Sequence, residues 1–245
     1  MVQNIFKGIK AYPSALGLIS TLGLWKYFAV PVLISFITAS LIGLSAWSWS
    51  DNIANTIDLL WLWEWGADWF HGFAEILGGI LIIVLGLIVY KHVVMALSAP
   101  FMSPVSTAIE HHFLGDKHIH RNTSNTSQLW RGIRINVRNL TMEIFITIPL
   151  LILSLVPVLN IITTVLLFLV QAYYAGFGNM DYTLERHYGY KESVGFVKRH
   201  KGVAIGNGII FTIMLFIPVI GVLMVLPLSV TAATSQTIRF IQEKK

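Results

Sequence analysis

Cysteine is absent from all 245 positions, which excludes disulfides, thiolate metal centres and cysteine nucleophiles. Charge is scarce as well: 12% of residues are Asp, Glu, Lys or Arg, where soluble domains carry about a quarter. With 55% hydrophobic residues and a mean hydropathy of +0.70, the composition argues against a water-soluble fold and leaves no room for a separate globular domain. No Gly-rich phosphate loop, nucleophile elbow or pair of buried carboxylates is visible, so an enzyme is not expected and no cofactor is implied. No platform of interleaved aromatic and basic residues for nucleic acid is visible either. The first twenty residues are amphipathic, carry Lys7, Lys10 and an early Pro13, and lack a short apolar block ahead of a small-residue cleavage site. No cleavable signal peptide is expected from them.

The most telling gap is in basic residues. No Lys or Arg occurs between Lys26 and Lys91, whereas Asp51, Asp58, Glu64, Asp68 and Glu75 all lie there. By the positive-inside rule this stretch is the outer one, and the net charge of +5 is an orientation signal. Both termini and the loops at 99–138 and 179–202 then face the cytoplasm.

What is present reads as one all-α integral membrane domain, 1–245. Residues 1–26 form an amphipathic N-terminal segment. Residues 27–98 supply two spanning helices, 27–47 and 76–98, joined by an outer segment at 48–75. Ser35, Ala39 and Gly43 recur every four residues, a small face suited to close helix packing. Six of eight tryptophans fall between Trp47 and Trp69, the pattern of an interfacial belt. Lys91 and His92 sit where their side chains can snorkel from the inner end of the second span. The Ala99-Pro100-Phe101 break leads to a short amphipathic helix, 104–114, ending at Gly115. A second amphipathic helix at 129–140 places Arg131, Arg134 and Arg138 on one face, suited to anionic headgroups or to attracting a soluble anion.

Two helical hairpins follow, at 140–178 and 203–238. Each turns at an apolar proline tip, Pro157-Val158-Leu159-Asn160 and Pro218-Val219-Ile220-Gly221, with no charge and no polar linker. Arms of about 15–18 residues give roughly 22–27 Å of helix, against about 30 Å of hydrocarbon. Arm length and tip chemistry therefore favour half-penetrating hairpins. Charge bias does not distinguish these from full spans, because either hairpin returns to its starting side. The mixed charges at 179–202 read as a solvated face.

Candidate polar groups are few. Asn160, Gln171 and Asn207 are neutral residues on the hairpins, suited to a path that must release an ion as readily as it binds it, or equally to interhelical hydrogen bonds. Glu143, in the first turn of an apolar arm, is expected at the interface. His111, His112, His118 and His120 lie near Glu110 and Asp116, but their spacing matches no helical zinc motif and no metal is expected. Gly23-Leu24-Trp25-Lys26 precedes the first span, where free backbone N–H groups and a lysine make a candidate oxyanion site; the alternative is that Trp25 and Lys26 only anchor the helix end.

The chain resembles the CysZ sulfate permease family, which is related to the etoposide-induced membrane proteins. The likeness rests on GLWKYFAVP at 23–31, on Ala99-Pro100-Phe101 with its helix ending at Gly115, on Asp181-Tyr182, Lys191-Glu192 and the basic run 198–201, on the two proline tips, and on Ala233-Thr234. The resemblance implies two long spanning helices plus two pairs of half-penetrating helices, a homo-oligomer in the bacterial inner membrane, and sulfate uptake that feeds cysteine synthesis. It also implies that Gly23, Leu24 and Lys26 touch the oxyanion. Trp25 stands where the family pattern has an arginine, which removes a bidentate contact. The expectation is therefore a permease or channel for sulfate or a related small oxyanion. A scaffold that recruits lipids or partner proteins through cytoplasmic basic faces is the alternative.

Overall fold

The computed structural model describes residues 1–58, 72, 85–115, 124–217 and 220–243, and among these it is all-helical. Helix α1 (Val2–Thr21) ends at a left-handed Gly23 and a 3-10 turn (Leu24–Tyr27). Then come α2 (Ala29–Asp58), α3 (Leu85–Leu97), α4 (Ala99–Leu114), α5 (Asn125–Ser154), α6 (Pro157–His187), α7 (Tyr190–Arg199), α8 (Lys201–Leu215) and α9 (Ile220–Gln242). Most of the outer segment, the first part of the second predicted span, His118, His120, and the tip pair Pro218-Val219 lie outside the described residues.

Helix α8 forms the centre. Its small residues let backbones approach where side chains would hold them apart. A Cβ on Gly176 of α6 would strike the Ala204 carbonyl of α8, and one on Gly208 of α8 would strike the Ala172 carbonyl of α6. On the opposite side Gly8 of α1 faces the backbone of Val203 and Asn207, and Gly206 faces the Ile5 carbonyl. The α1 residues that reach this layer, Gly8, Ala11, Tyr12, Ala15 and Ile19, recur at the three-and-four spacing of one helix face. Tyr12 Oη lies 2.7 Å from both the Asn207 carbonyl and Ser229 Oγ, and burial raises its phenol well above the usual range.

Leu24–Ser45, α5 and α6 are each long and apolar enough to cross a membrane, and α3 with α4 forms a further candidate bent by 68°. The bend falls at Ser98, directly before Ala99-Pro100, and α4 ends where the left-handed Gly115 caps it. On α2 the packed positions are Pro31, Ser35 and Thr38, with Ile42 half-buried against Gly86, whereas Ala39 and Gly43 are exposed. The expected four-residue small row thus drifts out of contact. At 3.6 residues per turn, a face that stays against one neighbour must alternate steps of three and four.

Three further expectations are corrected. The amphipathic helix at 129–140 is not separate; it is the first half of α5, which runs on through Pro149 into the hairpin arm. The stretch from 179 to 187 is not a solvated face: Asn179, Asp181, Glu185 and Arg186 are buried in the continuation of α6, because acids and bases from other helices meet them there. Glu143 lies in the interior and Lys91 does not snorkel; they are 0% and 2% exposed and bonded to each other.

The first hairpin breaks at Leu155 and Val156, one residue ahead of the proline that starts α6. Its apex stands clear of the body. Phe145, Leu155, Val158 and Ile161 are 72–83% exposed, and every one is apolar. The arms, roughly 145–155 and 156–166, measure about 16 Å each at 1.5 Å per residue, with Thr147 and Thr163 buried within them.

Candidate functional site: a buried polar seam

Polar side chains from α4, α6, α8 and α9 converge into a buried seam inside the bundle. Ser103, Ser106 and Glu110 recur along the inner face of α4 and are buried. Helix α6 presents Asn179, Thr183, Glu185 and Arg186 to them, and α9 presents Ser229 and Thr234. At one end the Glu110 carboxylate is held between two bases. Arg186 Nε donates to its Oε2 at 2.8 Å, and His187 Nε2 lies 2.7 Å from its Oε1. Arg186 also donates to Ser106 Oγ at 2.7 Å and to the Tyr182 carbonyl at 3.0 Å. The middle is built from hydroxyls: Ser106, Thr183 and Thr234 lie within 2.9–3.1 Å of one another. One turn further along α6, Asn179 donates to Asn207 Oδ1 at 2.8 Å, and Asn207 donates to the Ser229 carbonyl at 3.0 Å. Tyr12 closes that end.

Beside the seam, Ser103 donates to Glu185 at 2.7 Å. Ser103 also lines a cleft of about 600 Å³, together with Thr107, His111 and Gln128. The opposite wall of that cleft is Leu22 and Tyr27, the residues that bracket the Gly23–Lys26 turn. The cleft therefore lies next to that turn and reaches Ser103, one helical turn from Ser106 of the seam.

A second buried cluster joins α3 to the first hairpin. Lys91 Nζ donates to Glu143 Oε1 at 2.6 Å and to the Gln171 carbonyl at 3.2 Å. His92 Nε2 lies 2.9 Å from Glu143 Oε2, and its Nδ1 lies 3.1 Å from Asn136 Oδ1. Every one of these side chains is at most 3% exposed except that of Gln171, which contributes only its carbonyl. Such an arrangement matches each buried charge with a partner, without which burial would cost several kcal/mol.

The family model described as sulfate transporter CysZ/etoposide-induced protein 2.4 matches residues 11–225, most of the chain. The chain belongs to this family. A search of the curated proteins found no match. Membership in the CysZ/etoposide-induced protein family makes the molecule an integral membrane protein of a transporter-type family. The matched region holds the 3-10 turn, both buried clusters except Thr234 and Ser229, and the whole first hairpin.

Against the sequence-derived candidates, the CysZ-family structure sorts the residues unevenly. Gly23 takes φ +62°, with open space where a side chain would be, while Leu24 is buried and anchors the turn. Lys26 is exposed, with its ammonium 5.3 Å from the Tyr27 ring. Asn207 joins the seam. Asn160 does not; it sits at the exposed apex, where its amide donates to the Ser154 carbonyl and ties the two arms together. Gln171 is half-buried. The three arginines are already engaged: Arg131 makes a bidentate pair with Asp181 at 2.9 and 3.0 Å, Arg134 lies 4.1 Å from the Tyr190 ring, and Arg138 donates to Asn139.

Several seam residues escaped the sequence reading. The Glu110–Arg186–His187 triad and the hydroxyls of Ser106 and Thr183 join segments 76–80 positions apart. One signal was available: Thr231, Thr234, Ser235 and Thr237 crowd a single apolar arm, more hydroxyls than helix propensity or capping would place there.

Proposed function

We propose that the protein is an oxyanion permease and that its substrate is sulfate, taken up to supply cysteine synthesis. The buried polar seam carries this reading. A tetrahedral oxyanion needs hydroxyl and amide donors, and release requires that those donors be neutral along most of the way. Ser106, Thr183, Thr234, Asn179 and Asn207 meet that description, with the one arginine tethered by Glu110. The cleft beside Gly23 and Lys26 provides access. Free N–H groups in that turn and one ammonium attract the anion before it meets the seam. With Trp25 in place of an arginine, Lys26 is the only basic side chain in the turn, so capture there is a point-charge contact.

On the same reading the protein is a homo-oligomer of a bacterial inner membrane with cytoplasmic termini, which the one-sided distribution of Lys and Arg supports. The half-penetrating geometry is supported by the apolar tip of the first hairpin, and its rival is a full span, for which α5 and α6 are long enough. No nucleotide-binding motif is present in the sequence, so flux is passive or ion-coupled.

The test is labelled sulfate flux into liposomes reconstituted with purified protein. Flux well above that of empty liposomes is expected, slowed by Lys26→Ala. Flux no faster than empty liposomes across several oxyanions would overturn transport and leave the scaffold reading.

A further inference from the structure

Away from the seam, α1 and the last turns of α9 enclose a groove of about 320 Å³ that the transport reading does not use. Lys7, Lys10 and Arg239 project into it, opposed by the single carboxylate of Glu243. Among the described residues none of these four makes an ion pair; Lys7 Nζ rests 5.4 Å from the Phe240 ring. The groove therefore has an uncompensated positive excess. Gln236 lines it as well. This side chain is 7% exposed and makes no hydrogen bond among the described residues. Its amide opens on the groove without a protein partner among the described residues and can hydrogen-bond a ligand there. The remaining wall is apolar, formed by Leu18, Phe113 and Phe240.

These features together select the ligand. Three cations and an amide donor fit a phosphate. The volume holds about ten waters at ~30 Å³ each, several times what a bare tetrahedral oxyanion displaces. The apolar side has nothing to offer a free inorganic ion. Leu18 lies about 8 Å along α1 from the turn that starts α2, whose Leu33, Phe36 and Ile37 are exposed apolar residues on a membrane-spanning candidate. We propose that this groove seats the phosphate and glycerol of an anionic phospholipid, whose acyl chains leave past Leu18 and Phe113 toward α2. Basic pockets between helices near the membrane surface hold such headgroups by the same chemistry.

The experiment follows thermal unfolding of the full-length protein in detergent. The probes are dihexanoyl phosphatidylglycerol, dihexanoyl phosphatidylcholine and inorganic phosphate, each titrated below micelle-forming concentration. The phosphatidylglycerol should raise Tm saturably. The phosphatidylcholine should not, and inorganic phosphate should need a far higher concentration. The K7Q/K10Q/R239Q variant should need about tenfold more phosphatidylglycerol or greater. Glu243→Gln, which enlarges the basic excess and threatens no buried contact, should need less. Equal responses to both lipids would overturn the proposal. So would inorganic phosphate matching the lipid at equal concentration, an unchanged response in the triple variant, or a weaker one in Glu243→Gln.

Discussion

At the scale of single residues, the decisive fact is that several charged side chains are buried in matched sets. Glu143 is completely enclosed between Lys91 and His92, at 2.6 and 2.9 Å. Removing one member of such a set leaves the others desolvated and unmatched, which costs about 3–5 kcal/mol. Glu143→Ala should therefore lower the thermal midpoint in detergent sharply. The double variant Lys91→Met, Glu143→Leu should be less damaged than Glu143→Ala. A midpoint unchanged in Glu143→Ala would mean that the cluster contributes nothing to stability. Gly23 is constrained for a different reason. Space is open around it, so only its left-handed backbone excludes a side chain, and Gly23→Ala should cost about 1–2 kcal/mol. Chemical denaturation compared with Gly17→Ala, a helical position with equally open surroundings, measures that conformational cost directly.

At the scale of helices, the three-layer stack of α1, α8 and α6 depends on glycines whose hydrogens touch opposing carbonyls. Gly176→Ala and Gly208→Ala would push α6 and α8 apart at two points of a single crossing. Each should destabilise by about 1–3 kcal/mol, and their effects should be sub-additive because the first separation relieves the second clash. A double-mutant cycle on thermal midpoints reads this coupling. The apex of the first hairpin permits a sharper test, since the chain has no native cysteine to interfere. A single cysteine in place of Leu159 should resist membrane-impermeant thiol reagents added from the outer face. Rapid labelling there would show an apex that emerges into water.

Much of this level could be read from the residues alone. The break at Ala99-Pro100, the stop at Gly115 and the proline that opens α6 are local signals, because backbone geometry at Pro and Gly depends on immediate neighbours. The apolar arms of the first hairpin were equally plain. What escaped is non-local. Asp181 and Glu185 look solvated in the chain, because nothing near them reveals that Arg131 and Ser103 arrive from 50 and 82 positions away. Hydropathy reports how costly a buried carboxylate is and is silent about a distant partner that offsets the cost. The merging of the arginine face with the first hairpin arm was hidden for a related reason. A change from polar to apolar composition looks like a boundary, yet α5 continues through it because the surroundings change while the backbone pattern does not.

At the scale of the whole molecule, the two buried polar clusters differ in chemistry: one pairs Lys91 and His92 with Glu143, and the other is built largely of hydroxyls and amides. If the hydroxyl seam conducts, Thr234→Val should reduce sulfate flux about tenfold while leaving the protein monodisperse, since valine preserves the shape and removes two hydrogen bonds. Thr107→Val, on the outer wall of the cleft with its hydroxyl satisfied within its own helix, should have a much smaller effect. Equal flux in both variants would remove the seam from the route.

The 68° elbow at Ser98 lies between two anchorages. On one side α3 is clamped to the first hairpin through Lys91 and His92, and on the other α4 is clamped to α6 through Ser106 and Glu110. Neither limb can swing without dragging its clamp. A change of angle at Ser98 therefore strains the Lys91–Glu143 pair on one limb and the Glu110–Arg186 pair, 12 residues from the fulcrum, on the other.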